Sequence, residues 1–157
     1  MAPEAKQDRA GVIAPPPLLV FGHVLAGFGL GRLWPWTVGH SGLSLVTGWG
    51  LILSACGLAF WGITRMHQAG TAVNPARPTT ALVTHGPYGW SRNPLYLALL
   101  MVHGGIGLAA GNLWILTALI PAWALLRWGV IAREERYLEA KFGEQYNQYR
   151  QRVRRWF

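Results

Sequence analysis

The chain reads as an all-α integral membrane helix bundle of about four transmembrane helices, with short cytoplasmic C-terminal helices after them. Three observations predict this. Long apolar runs recur four times, each of about 17–25 residues, which suits a helix crossing the hydrocarbon layer. Hydrophobic residues make up 52% of the chain and charged residues only 13%, about half the share usual in a soluble domain. The chain also holds 20 Gly and 9 Trp. Gly is common where membrane helices pack closely, and Trp gathers at the membrane–water interface.

The elements follow in order. Residues 1–14 carry no signal-peptide pattern and balance Lys6 and Arg9 against Glu4 and Asp8. They read as a mobile cytoplasmic tail, ended by Pro15-Pro16-Pro17. Residues 15–157 form a single membrane domain, with spans expected at 18–34, 42–66, 95–111 and 113–132. Gly27 and Gly31 in the first span, and Gly107 and Gly111 in the third, are spaced for close helix packing. Pro121 removes one backbone donor from the fourth span and predicts a kink. After residue 132 the pattern becomes polar, and short helices are expected over 133–157, with Gly143 as a C-cap.

Charge sets the topology. The net charge is +8, but the cations flank the apolar runs, which argues against nucleic-acid binding. Arg65, Arg77 and Arg92 fall in one long connection, and eight more basic residues lie between Arg127 and Arg155. The connections at 35–41 and 111–112 carry no charged side chain. The positive-inside rule then puts both termini and the long loop in the cytoplasm, for a bacterial inner-membrane protein. The C-terminal arginines read as a topology anchor that also suits anionic lipid.

Carboxylates are scarce. Of six, four sit near the C-terminus, Glu134, Glu135, Glu139 and Glu144, and none lies between Asp8 and Glu134. The third and fourth spans are joined by almost no linker, so their cytoplasmic ends are neighbours. Glu134 and Glu135 therefore emerge beside the loop His85-Gly86-Pro87-Tyr88-Gly89-Trp90-Ser91-Arg92-Asn93-Pro94. Arg92 and His85 offer donors, while Tyr88 and Tyr96 offer hydroxyls and ring faces. Pro94 suits a first helical turn, whose free amides can donate to an anionic or polar group. Such a site fits a zwitterionic, adenine-bearing cofactor. The bland alternatives are a flanking charge for Arg92 and surface ion pairs with Arg127, Arg133 or Arg136 for the two glutamates. Cys56 is the only cysteine and reads as a small buried hydrophobe. No histidine pair has metal-ligand spacing, so no metal is expected.

The two motifs carry a resemblance. His85-Gly86-Pro87-Tyr88, Arg92-Asn93-Pro94 and Tyr96, followed by Glu134-Glu135, Leu138, Phe142-Gly143, Tyr146, Tyr149 and Val153, resemble the isoprenylcysteine carboxyl methyltransferases. That family sits with the phospholipid methyltransferases among integral membrane methyltransferases. The resemblance covers residues 65–155. It implies a cytoplasmic S-adenosylmethionine pocket lined or supported by His85, Gly86, Pro87, Tyr88, Arg92, Asn93, Pro94, Tyr96, Glu134 and Glu135, with Arg92 and Glu135 as the catalytic pair. It also implies a membrane lipid or lipophilic small molecule as methyl acceptor. Asn93 stands where the family pattern has His, and Asn carries no proton at neutral pH. Two rival readings are an NADPH-dependent membrane reductase, since sterol reductases share an Arg-x-Pro-x-Tyr pattern, and a non-catalytic scaffold.

Overall fold

A computed structural model describes residues 9–39 and 41–156. Helix α1 spans Pro16–Leu33, with proline in its first turn, where no backbone donor is needed. Helix α2 spans Gly42–Gln68 and starts in a capping box, in which Ser41 and Ser44 each accept the other's amide. A short 3-10 turn, Gly86–Gly89, precedes α3, Pro94–Ala109. Helix α4, Leu113–Leu125, runs through a π-helical segment, Leu126–Ile131, into α5, Ala132–Phe142. Helix α6 spans Glu144–Arg152.

The bundle packs α2 on α3 and α1 on α4, with α3 also against α4. Glycine permits the closest approaches. A Cβ on Gly48 would collide with backbone at Gly105 and Ala109, and one on Gly27 with Ile115. Gly31 faces Asn112 and Gly107 faces Leu116, so Gly27, Gly31 and Gly107 sit on packing faces as their spacing suggested, whereas Gly111 lies in the turn after α3 at φ 57°. The outer surface is apolar: Leu18, Leu25, Leu43, Val46, Leu53, Phe60 and Ile120 are all exposed. In water such a surface would aggregate; in a bilayer it meets lipid.

Among the described residues, three helical stretches are long and apolar enough to cross a membrane: Pro16–Leu33, Gly42–Gln68 and Leu113–Phe142. The expected third span, 95–111, is shorter. It has 16 residues and ends at Ala109, because the chain turns at Ala110 and Gly111. At 1.5 Å per residue it reaches about 24 Å, against a hydrocarbon core of about 30 Å. The short helices expected over 133–157 are present as α5 and α6, and α5 continues the fourth span without a loop. The chain stays helical from Leu113 to Phe142, and Pro121 is carried inside α4. A π segment, a form that often marks functional sites, follows at Leu126–Ile131. Gly143 ends α5 at φ 51°, as its sequence position implied.

Of the tail expected over 1–14, residues 1–8 lie outside the described residues, as does His40. Residues 10–13 are docked on the bundle. Arg133 Nη1 donates to the Gly11 carbonyl at 3.0 Å, and the Ile13 amide donates to the Gly129 carbonyl at 3.4 Å. Val12 packs on the buried cluster Val20, Leu126 and Val130.

Candidate active site

The loop before α3 and the start of α5 meet at one end of the bundle. Glu135 lies in the first turn of α5, is buried, and holds two arginines. Arg92 Nη2 donates to its Oε1 at 2.7 Å, and Arg155 Nε donates to the same oxygen at 3.1 Å. Arg155 Nη2 also pairs with Oε2. Both glutamate oxygens are thus engaged by guanidinium groups, a charge-assisted arrangement of the strong kind. Glu134, half-buried, accepts from the Tyr96 hydroxyl at 2.6 Å. Arg92 Nε is buried and has no partner.

The C-terminal segment closes this end. Beyond α6 the chain becomes extended at Val153 and runs beside the loop. The Arg92 amide donates to the Arg154 carbonyl at 3.0 Å, and Arg92 Nη1 donates to the carbonyls of Arg150 and Val153 at 3.1 Å each. Asn93 Nδ2 donates to the Arg155 carbonyl at 3.0 Å, and the Ser91 hydroxyl donates to it at 3.2 Å. The Tyr149 hydroxyl donates to the Tyr88 carbonyl at 2.7 Å. Burial pushes the Tyr88, Tyr146 and Tyr149 phenols above their ordinary pKa, so these hydroxyls stay protonated donors. The hydrogen bonds to Glu135 raise Arg155 further above its ordinary value.

Two cavities share this wall. The larger, about 390 Å³, lies between Pro15–Pro17, Met66, Val73–Pro75 and the start of α3, with Tyr88, Arg92, Asn93 and Glu134 at its polar side. The smaller, about 60 Å³, lies behind the same four residues and is bounded by Glu135, Leu138, Tyr146 and Tyr149. Of the residues expected at the site, Tyr88, Arg92, Asn93, Pro94, Tyr96 and Glu134 border the larger cavity. Glu135 borders the smaller. His85, Gly86 and Pro87 border neither; His85 is exposed, and the turn they form sets the direction of Tyr88. The loop's pairing with glutamate is therefore present, but with Arg155 as a third partner.

Sequence reasoning missed Arg155, Met66 and the three prolines. Arg155 is one of four arginines in the last eight residues, and nothing in its spacing singles it out. The tail was expected to lie on lipid as a topology anchor. Its carbonyls instead accept from Arg92, Ser91 and Asn93, because a loop rich in donors lies beside an extended strand of free acceptors. Pro15, Pro16 and Pro17 read only as the end of the N-terminal tail, yet they form a cavity wall.

A helical membrane protein with a charged, tyrosine-lined cavity at one end is the class that fold and site define. Residues 43–145 match the phospholipid methyltransferase family, and the chain belongs to it. A Haemophilus influenzae protein described as uncharacterized is 42% identical over 69 residues, covering 40% of this chain and 98% of that one. The cobalt-zinc-cadmium resistance protein CzcN of Cupriavidus metallidurans is 38% identical over 68 residues, covering 43% of this chain. The matched stretch is 32% of the CzcN length.

Proposed function

We propose that the chain transfers a methyl group from S-adenosylmethionine to a lipophilic acceptor bearing a carboxylate, amine or thiol, at the membrane–cytosol boundary. The observation that carries this is the polar wall of the larger cavity. There Arg92 keeps a buried Nε without an acceptor, beside Glu134 and Tyr96, in a mostly apolar lining. The leftover donor suits a carboxylate, and Glu134 suits a cation or a hydroxyl. The cavity volume of about 390 Å³ lies within the ~300–1,000 Å³ typical of small-molecule sites, so the residues fit such a cofactor.

S-adenosylmethionine supplies an electrophilic methyl on a sulfonium, and its displacement needs no metal. The chain's own residues then have three tasks. Arg92 orients an anionic group, of cofactor or acceptor, through Nε. Glu134, positioned by Tyr96, holds the cationic or hydroxyl-bearing part. Met66, Leu95 and Leu99 keep water from the reacting atoms and hold the acceptor near attack distance, about 3–3.5 Å. Glu135, expected as a catalytic partner of Arg92, is better read as a positioning residue, because both its oxygens are held by arginines. Asn93 likewise holds the C-terminal segment through Arg155. His85, Gly86, Pro87 and Pro94 shape the loop and the start of α3 around these groups.

The site faces the cytoplasm of a bacterial inner membrane in this reading, with both termini on the same side. The clustering of Arg77, Arg92 and the arginines of α5 and α6 at one end supports that orientation.

The test is titration of the detergent-purified protein with S-adenosylhomocysteine and, separately, NADPH. Micromolar binding of the first alone, weakened in Arg92→Ala, is expected. Binding of NADPH alone sinks methyl transfer in favour of a reductase, and binding of neither favours a scaffold.

A further inference from the structure

The fourth span carries a cation that the cavity site does not use. Arg127 lies in the π segment, about two turns before Glu134, and borders neither cavity. Charge order alone allowed it as an ion partner of the two glutamates, but those bond to Tyr96, Arg92 and Arg155. Among the described residues no carboxylate or carbonyl accepts from the Arg127 guanidinium. It meets ring faces instead. Its Cζ stands 5.3 Å from the Trp123 ring centre and 6.0 Å from that of Trp128. Contact with aromatic faces is favourable, yet it leaves the guanidinium N–H donors without acceptors.

The π segment builds this cluster. Trp123 and Trp128 are five positions apart, a spacing that in a regular α-helix turns them about 140° from one another. The π segment starts between them at Leu126, and its wider turn brings their rings edge to face at 5.9 Å. Neither indole N–H has an acceptor in the chain among the described residues. The surroundings face outward and are apolar, with Ile120, Leu125 and Trp128 exposed. A guanidinium beside hydrocarbon is costly unless an anion partners it, and its long stem lets it reach the headgroup layer.

Charge complementarity names the occupant. At the edge of a bilayer the anion at hand is a lipid phosphate, which the planar guanidinium fork matches in shape. A zwitterionic lipid brings its own ammonium to that phosphate, so a lipid with net negative charge suits a lone arginine better. We propose that Arg127, Trp123 and Trp128 form a binding site for one anionic phospholipid, whose phosphate takes the guanidinium donors while its chains lie along Ile120 and Leu125. The site stands on the outer face of the fourth span and is independent of methyl transfer in the cavity.

Native mass spectrometry of the full chain, released from detergent, counts the lipids it retains. The protein is titrated with phosphatidylglycerol and, separately, with phosphatidylcholine of the same acyl chains. One phosphatidylglycerol is expected to bind about fivefold more tightly than phosphatidylcholine, the factor that one basic residue contributes at an anionic surface. Arg127→Gln is expected to erase that preference, and Arg127→Lys to keep only part of it, since an ammonium lacks the fork. Arg152→Gln removes an exposed arginine elsewhere at the charged end and is expected to leave the preference unchanged. Trp128→Leu, at an exposed position, is expected to weaken it and decides the matter if the Arg127 variants fail to fold. Equal binding of the two lipids overturns the proposal, as does a preference unmoved by the deciding variant. An equal loss in Arg152→Gln would mean diffuse charge, and displacement of the lipid by millimolar inorganic phosphate would mean a bare anion site; either result overturns it too.

Discussion

The two ends of the bundle close their helices with different chemistry. At the tryptophan-rich end, neutral groups serve the backbone. The Asn112 side chain accepts from the amides of Trp114 and Ile115, and Trp114 Nε1 donates to the Trp34 carbonyl at 2.7 Å. The rings of Trp36 and Trp114 meet edge to face at 5.1 Å. At the opposite end, ions serve one another. Glu135 joins Arg92 to Arg155, Tyr96 donates to Glu134, and the extended C-terminal segment accepts from Arg92 and Asn93. Both ends satisfy helix termini. The charged end borders the larger cavity, and Arg92 beside that cavity keeps a buried donor without a partner. A closed helix end stabilises a bundle; a closed end that leaves a donor unpartnered beside a cavity has capacity for a ligand.

The largest effect is expected from Glu135→Ala, which leaves Arg92 and Arg155 without their carboxylate. The side chain of Arg92 is only 10% exposed, so the loss should be about 3–5 kcal/mol, with S-adenosylhomocysteine binding lost as well. Thermal unfolding in detergent and calorimetric titration read the two effects. A melting temperature like the wild type's would mean the charged end is as dispensable as a surface pair.

Asn112→Ala strikes the neutral end. Loss of the α4 cap should lower stability by about 1–2 kcal/mol while leaving S-adenosylhomocysteine affinity unchanged. A fall in affinity would show the two ends to be coupled and erase the contrast between them.

Tyr149→Phe removes the hydroxyl that ties α6 to the Tyr88 carbonyl, at a cost of about 1 kcal/mol. It also changes the alkaline limb of stability. Burial raises the Tyr149 pKa in the folded chain, so above the ordinary phenol value of about 10 the unfolded chain ionises first. Stability is full below that pH and declines as pH rises through the folded value. Wild-type melting temperature should therefore fall more steeply between pH 9.5 and 11, as an approximate window around that value, than that of Tyr149→Phe. Parallel curves would remove the phenol from the account.

The smallest effect is expected from Arg150→Ala. Its ion pair with Glu139 joins side chains 44% and 40% exposed, so stability should change by about 0.5 kcal/mol or less. The carbonyl that Arg92 uses at this position belongs to the backbone and survives the substitution. A large loss here would mean that charge in general, and not the Glu135 centre, holds this end together.

Much of this was legible in residue order. Helices α1 and α2 follow their apolar runs within two residues, and α4 begins where its run begins, since a run of that length has few other ways to satisfy its backbone in lipid. The shortness of α3 was not, because Ala110 and Gly111 continue the apolar composition while the backbone turns there. The proximity of Arg92 to Glu135 followed from the tight hairpin of α3 and α4. That Arg155 would share Glu135, and that Asn93 would hold the tail, did not follow. Those contacts cross 20 and 62 positions of chain, and the four terminal arginines are chemically alike.

By itself the sequence determined a helical membrane bundle, gathered its cations beside its glutamates, and marked the two motifs of a methyltransferase family. These depend on run length, charge order and local spacing, which are one-dimensional quantities. Tertiary structure alone decided which arginine Glu135 keeps, which donor of Arg92 stays free, and that three prolines near the N-terminus wall the cavity. Each depends on where distant backbone comes to lie, and a hydrogen bond forms only between groups that packing has brought within about 3 Å.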